Sequence, residues 1–149
     1  MKIMIGVDDS PCSQAALDFV CKLPWPADTT ATIVSSVVMP TCASTAMFTP
    51  ASMQFENWLD ELTKFHQEVV ARDEKMLRHA GLKVASRVLQ GDAREALVEQ
   101  ATKDHVDLLV VGSHGRTGLD RLLMGSVASH VVTHAPCSVL VVKPSGRNP

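Results

Sequence analysis

Two short stretches of this chain concentrate the residue types that hold anions. One is Gly6-Val7-Asp8-Asp9-Ser10. The other begins Val111-Gly112-Ser113-His114-Gly115-Arg116-Thr117-Gly118 and runs through Leu119 to Met124 into Gly125-Ser126-Val127. Gly112 and Gly115 lack Cβ atoms, so the backbone there is free to take positive φ and to approach a bulky ligand, with its N–H groups forming the wall. Gly125-Ser126 falls where a helix is expected to begin. The first N–H groups of a helix have no partner within it and lie at the positive end of its dipole. One charge–dipole contact contributes roughly 0.3–1 kcal/mol, so several amides and Arg116 must act together, a demand that a polyphosphate meets better than one phosphate. The spacings GxxxxGK[ST] and GxGxxG are absent, which argues against a P-loop NTPase and an ordinary NAD-binding domain.

Such loops need rigid elements beneath them. Met1–Val7 reads as a buried strand, closed by Asp8 and Asp9. Ser10 is a natural N-cap with Pro11 at the first helical position, and Ala15, Ala16, Phe19, Val20 and Leu23 follow at helical spacing until Pro24 and Pro26 end the run. Thr30–Val38 is rich in β-branched residues and reads as a second strand. Met39–Ala51 carries no charge and reads as a loop over one end of the domain, its methionines Met39 and Met47, with Met53 beside it, available for lid packing or for an adaptable apolar contact. From Phe55 onward, Leu59, Leu62, Phe65, Val69, Met76 and Leu77 mark a long amphipathic helix stopped by Gly81 as a left-handed cap. Lys83–Leu89 is a third strand, Gly91-Asp92 opens a third helix with Asp92 and Glu95 as cap and N3 residue, and Asp107–Val111 is a fourth strand. Ser126–His134 is a helix, Ser138–Val142 a fifth strand, and residues 143–149 a polar tail. This alternation predicts a single-domain α/β fold, an open five-stranded parallel sheet of Rossmann-like type with helices on both faces. Ligands of such sheets bind beyond the carboxyl ends of the strands, where the strand order reverses.

Composition sets outer limits. At 149 residues the chain can bury roughly 70% of its unfolded surface in one core. Hydrophobic residues at 46% and charged residues at 20% exclude a disordered or collagen-like chain. A net charge of −2 provides no field for nucleic acid or an anionic membrane, so an anionic ligand must be held by local geometry. The longest apolar runs are far too short to span a bilayer, and Met1–Val7 lacks a cleavage site, so the expected address is the cytoplasm. Cys12, Cys21, Cys42 and Cys137 show no CxxC spacing and read as reduced structural thiols. His130 and His134, four apart, match a two-histidine metal pair without a third ligand and read as surface or interface residues.

The pattern Gly112-x2-Gly115-x9-Gly125-Ser126, followed by Val127 and closed by His134-Ala135-Pro136-Cys137-Ser138-Val139-Leu140-Val141-Val142, resembles the ATP-binding branch of the universal stress protein family. Ile3–Ser10 resembles the first strand and turn of the same family. The resemblance implies that Asp8 faces the adenosine part of ATP, with Gly6 and Val7 as close backbone surface, and that Val37 meets the adenine. It places Val111 and Gly112 under the ribose and His114, Gly115 and Arg116 along the phosphates, with His114 in a binding rather than a catalytic role. Gly125, Ser126 and Val127 wrap the phosphates, and magnesium or manganese bridges phosphate oxygens, since no carboxylate cage is visible. It further implies a homodimer. If Ser138–Val142 is an edge strand, pairing with its copy removes an exposed apolar edge. Two positions depart from the family: Asp9, a second carboxylate that repels phosphates unless it points elsewhere, and Ser36, where relatives often carry histidine. The leading expectation is therefore a cytoplasmic homodimeric ATP-binding regulatory protein of the stress response. The alternatives are a slow ATPase or ATP-dependent enzyme in which His114, Asp8 or Asp9 positions water or metal, and a nucleotide-independent chaperone-like scaffold.

Overall fold

The computed structural model describes residues 1–38, 50–116 and 124–144, with backbone alone for 50–53 and 55. Its elements run β1 (Lys2–Gly6), α1 (Pro11–Lys22), β2 (Thr30–Val37), α2 (Pro50–His79), β3 (Lys83–Gln90), α3 (Ala93–Asp104), β4 (Leu108–Gly112), α4 (Ser126–His134) and β5 (Ser138–Val142). The five strands pair in parallel in the order β3-β2-β1-β4-β5. The chain thus walks outward from β1 to β3 and then returns to build β4 and β5 on the other side, so the order reverses between β1 and β4.

Alternation along the strands divides the core in two. Ile3, Ile5 and Val7 of the first strand and its turn, with Ala31 and Ile33 of β2, face Ala16, Leu17 and Val20 of α1 and Val69, Val70 and Leu77 of α2. Met4, Val34, Leu109 and Val111 face the opposite way, onto Leu97 and Ala101 of α3 and Ala128 and Val131 of α4. Strands covered on both faces must be apolar on both, which is why β1 and β4 read as unbroken hydrophobic runs.

Local signals act as expected at most ends. Ser10 caps α1, its hydroxyl accepting from the Ser13 amide, with Pro11 at the first position. Asp92 caps α3. Gly81 has φ +90, and the Leu82 amide closes back on the Leu77 carbonyl at 3.2 Å, as a left-handed helix stop requires. Two expectations are corrected. Helix α2 begins at Pro50, within the stretch read as loop and ahead of Phe55, because proline is well suited to a first turn that has no N–H partner to lose. Among the described glycines positive φ occurs at Gly81 and Gly91, not at Gly112 or Gly115. The rest of the charge-free loop (39–49), Thr117–Leu123 and the tail from Ser145 lie outside the described residues.

Gly112 is required for a different reason. A Cβ built on it would stand 2.6 Å from the carbonyl carbon of Cys12 and 2.8 Å from its Cβ, because the first turn of α1 packs directly on the end of β4. Gly112→Ala should therefore cost about 1–3 kcal/mol of stability, since backbone meets backbone and cannot give way cheaply. Urea unfolding checks this. The midpoint should fall with the slope unchanged, and an unshifted midpoint would contradict the packing described.

Candidate functional site

At the carboxyl ends of β1, β2 and β4, a cleft of about 830 Å³ opens over the point where the strand order reverses. That volume is within the range of small-molecule and cofactor sites. Three helices begin around it, and their N-termini are not equivalent. Ser10 caps α1 and Asp92 caps α3. Helix α4 starts at Gly125, which offers no side-chain acceptor, and the Gly125 amide is taken by the Ser113 carbonyl at 2.8 Å. The amides of Ser126, Val127 and Ala128 are those the helix leaves without an internal partner, and all three residues line the cleft.

The cleft is held open by one carboxylate. Asp8 Oδ1 accepts from the Ser10 amide and Oδ2 from the Arg116 amide, each at 3.1 Å, so this side chain ties the turn after β1 to the loop after β4. Ser10 adds a second tie, its hydroxyl lying 3.4 Å from the His114 carbonyl. A Cβ on Gly115 would lie 2.8 Å from Asp8 Oδ2, so that glycine leaves room for the carboxylate itself. The Arg116 guanidinium lies 5.9 Å from the centroid of the Phe65 ring. At the opposite wall, Asp92 receives the Arg94 side chain at 2.6 and 2.9 Å, and its carboxyl is lowered to about 2, first by that side chain and then by the Arg94 amide.

Of the residues singled out in the sequence, Gly6, Val7, Asp8, Val111, Gly112, His114, Gly115, Arg116, Gly125, Ser126 and Val127 all line this one cleft. Val37 does not. Its side chain is buried, while its neighbours Ser36 and Val38 face the cleft, because successive residues of a strand point to opposite faces. Gly125 contributes its position rather than its N–H, which is already used. Ser36 donates to the Gly91 carbonyl at 2.6 Å and so fastens β2 to the turn before α3. His114 holds Nδ1 3.1 Å from the Ser113 hydroxyl. The rings of His130 and His134 stack with centroids 4.2 Å apart, and among the described residues no group of three or more candidate ligands forms a metal site. Cys12, Cys21 and Cys137 are free thiols, and burial raises the pKa of Cys21 and of Cys137.

Fold and cleft together define a doubly wound α/β protein with its cleft at the switch point. The chain belongs to the universal stress protein family, whose model matches residues 1–143. It is 32% identical over 147 residues to a putative universal stress protein of Staphylococcus haemolyticus, a match covering 95% of this chain and 83% of that one. It is 40% identical over 94 residues to Universal stress protein MJ0531 of Methanocaldococcus jannaschii, covering 63% of this chain and 55% of that protein; this chain thus spans about half the length of the archaeal relatives it matches. Among solved structures, hypothetical protein MJ0577 superposes with a TM-score of 0.82 at 27% identity, covering 97% of this chain and 96% of that one. A universal stress protein family protein from Arabidopsis thaliana with AMP bound superposes at 0.69 with 17% identity, covering 98% and 93%.

Helix α2 supplies residues that the sequence reading did not select. His66 lines the cleft, and Arg72 reaches Asp9 at 2.8 Å while its Nε reaches Asp73 at 2.8 Å. Asp9 has φ +63, a conformation that aspartate tolerates better than most residues; its carboxylate is paired with α2 and does not line the cleft. The signal was available: 66, 69, 70, 73 and 77 form one buried helical stripe, and a histidine and an aspartate within such a stripe are polar groups that require partners. Asp73 is fully buried, and its Oδ2 has no hydrogen-bond partner. Burial raises its carboxyl above the ordinary 3.8 and outweighs the single contact with Arg72. A raised acid contributes stability that is complete below 3.8 and is lost as pH climbs through the folded-state value. Asp73→Asn should therefore gain on the wild type as pH rises above 3.8 in denaturant unfolding, and parallel pH profiles would refute this.

Proposed function

We propose that this protein binds ATP in the cleft and acts as a cytoplasmic homodimer whose bound state is its signal in the stress response. The observation that carries this reading is the start of α4. Ser126, Val127 and Ala128, whose amides the helix leaves without an internal partner, line the same cleft as Arg116. A helix start without a side-chain acceptor, in a cleft that an arginine also lines, suits a chain of phosphates. The opposite wall, with Val34, Ser36, Val38 and the Asp92–Arg94 pair, suits the nucleoside. The AMP bound by the Arabidopsis relative supports the same ligand class. Magnesium or manganese would be held by phosphate oxygens and water, in keeping with a cleft whose carboxylates are already engaged.

Isothermal titration with ATP tests the reading. Binding should be measurable, and Ser126→Ala should weaken it several-fold by removing one donor. Gly115→Ala should weaken it at least as much, because the new methyl group displaces the Asp8 carboxylate from the Arg116 amide. No heat at millimolar ATP would overturn the proposal.

The dimer rests on the sheet edges. The outer strands are β3, which carries Lys83 and Arg87, and β5, whose sequence Ser138-Val139-Leu140-Val141-Val142 has no charge. Charge on an edge strand discourages pairing, and an uncharged apolar edge invites it. Light scattering at micromolar concentration should give twice the chain mass of 16.1 kDa, and a 16.1 kDa particle would refute pairing through β5.

A further inference from the structure

His66 is 2% exposed and yet belongs to the wall of the cleft. Its Nδ1 lies 2.7 Å from the Ser35 hydroxyl, and that hydroxyl donates to the Val7 carbonyl, also at 2.7 Å. A serine hydroxyl has one proton to give. With it committed to Val7, Ser35 accepts from His66, so Nδ1 carries the ring proton and Nε2 carries the lone pair.

The surroundings keep the ring in that neutral form. β2 contributes Ser35, α2 contributes Phe65 edge-on with centroids 5.5 Å apart, and the charged groups facing the ring are Arg116 from the loop after β4 and Asp8 from the end of β1. Burial first, and the Arg116 charge second, lower its pKa below the ordinary 6.5, with Asp8 opposing them. At neutral pH the cleft wall therefore carries an acceptor. Phosphate oxygens are acceptors too and gain nothing from it. The complementary ligand group is a hydrogen-bond donor close to the phosphates, and in a nucleotide that is a hydroxyl of the sugar.

Resting on the nucleotide reading of the cleft, we propose that His66 is a specificity-determining residue, accepting a hydrogen bond at Nε2 from a sugar hydroxyl and so favouring ribonucleotides over a deoxy analogue. The Ser35–Val7 chain is the device that fixes which ring nitrogen faces the ligand.

Calorimetric titration of ATP, 2′-deoxyATP and 3′-deoxyATP against the wild type, His66→Asn and His66→Gln tests this. Asparagine keeps a donor for Ser35 and removes the group at Nε2; glutamine returns an amide near the Nε2 position. The wild type should prefer ATP over one of the two analogues by about five- to tenfold. His66→Asn should lose that preference by weakening ATP alone, and His66→Gln should recover part of it. Equal weakening of all three nucleotides in His66→Asn, or a preference that survives it, would overturn the assignment and leave nucleotide binding intact. A wild type that binds none of the three would remove the nucleotide reading itself.

Discussion

The Asp8 carboxylate is the constraint on which the site depends. Two loops leave the sheet at adjacent strand ends, and nothing in their own backbone conformation would hold them at a fixed separation. Asp8 joins them by accepting from Ser10 on one side and from Arg116 on the other, and Ser10 adds its contact to the His114 carbonyl. Both oxygens are thereby used. A free carboxylate at the mouth of the cleft would work against an anionic ligand. Here backbone dipoles offset its charge, and it serves as a spacer.

The glycines follow from the same crowding. Gly112 is the residue on which the first turn of α1 rests, and Gly115 is the residue beside which Asp8 fits. Neither uses the left-handed conformation that glycine alone adopts readily. Their contribution is absence of volume, and it is directed at the protein before any ligand arrives. Binding geometry and folding geometry are therefore one arrangement, so a methyl group added at either position should disturb the two together.

Much of this was legible in one dimension. Strand and helix order followed from period, caps and breakers, and β5 and α4 have the limits read from the sequence, because Gly125, Pro136 and the run from Ser138 to Val142 leave little freedom. The site was legible to the extent that it lies in two contiguous loops. What escaped was whatever depends on strand parity or on a distant element. Val37 turned inward because a strand end fixes which face each residue takes, and a one-residue difference exchanges core for cleft. His66 and Arg72 escaped because their partners Ser35 and Asp9 lie far away along the chain, and Asp73 because a long amphipathic pattern discloses its buried stripe without disclosing what the stripe meets. The start of α2 was misplaced because a charge-free, proline-bearing segment looks like loop until its backbone is seen to continue as helix.

A net charge of −2 gives no general attraction for an anion, so what the cleft can hold depends on how its local charges are sorted. Of the three carboxylates nearest to it, Asp8 is taken up by amides, Asp92 by Arg94, and Asp9 by Arg72 outside the lining. Each is matched by a partner that is itself no longer available to a ligand. Among the described residues, Arg116 and the first residues of α4, whose amides have no partner within the helix, also line the cleft. Among the described residues the cleft is thus suited to an anion less by added cations than by the engagement of its neighbouring carboxylates, which two loops, α2 and α3 accomplish without altering the overall charge of the chain.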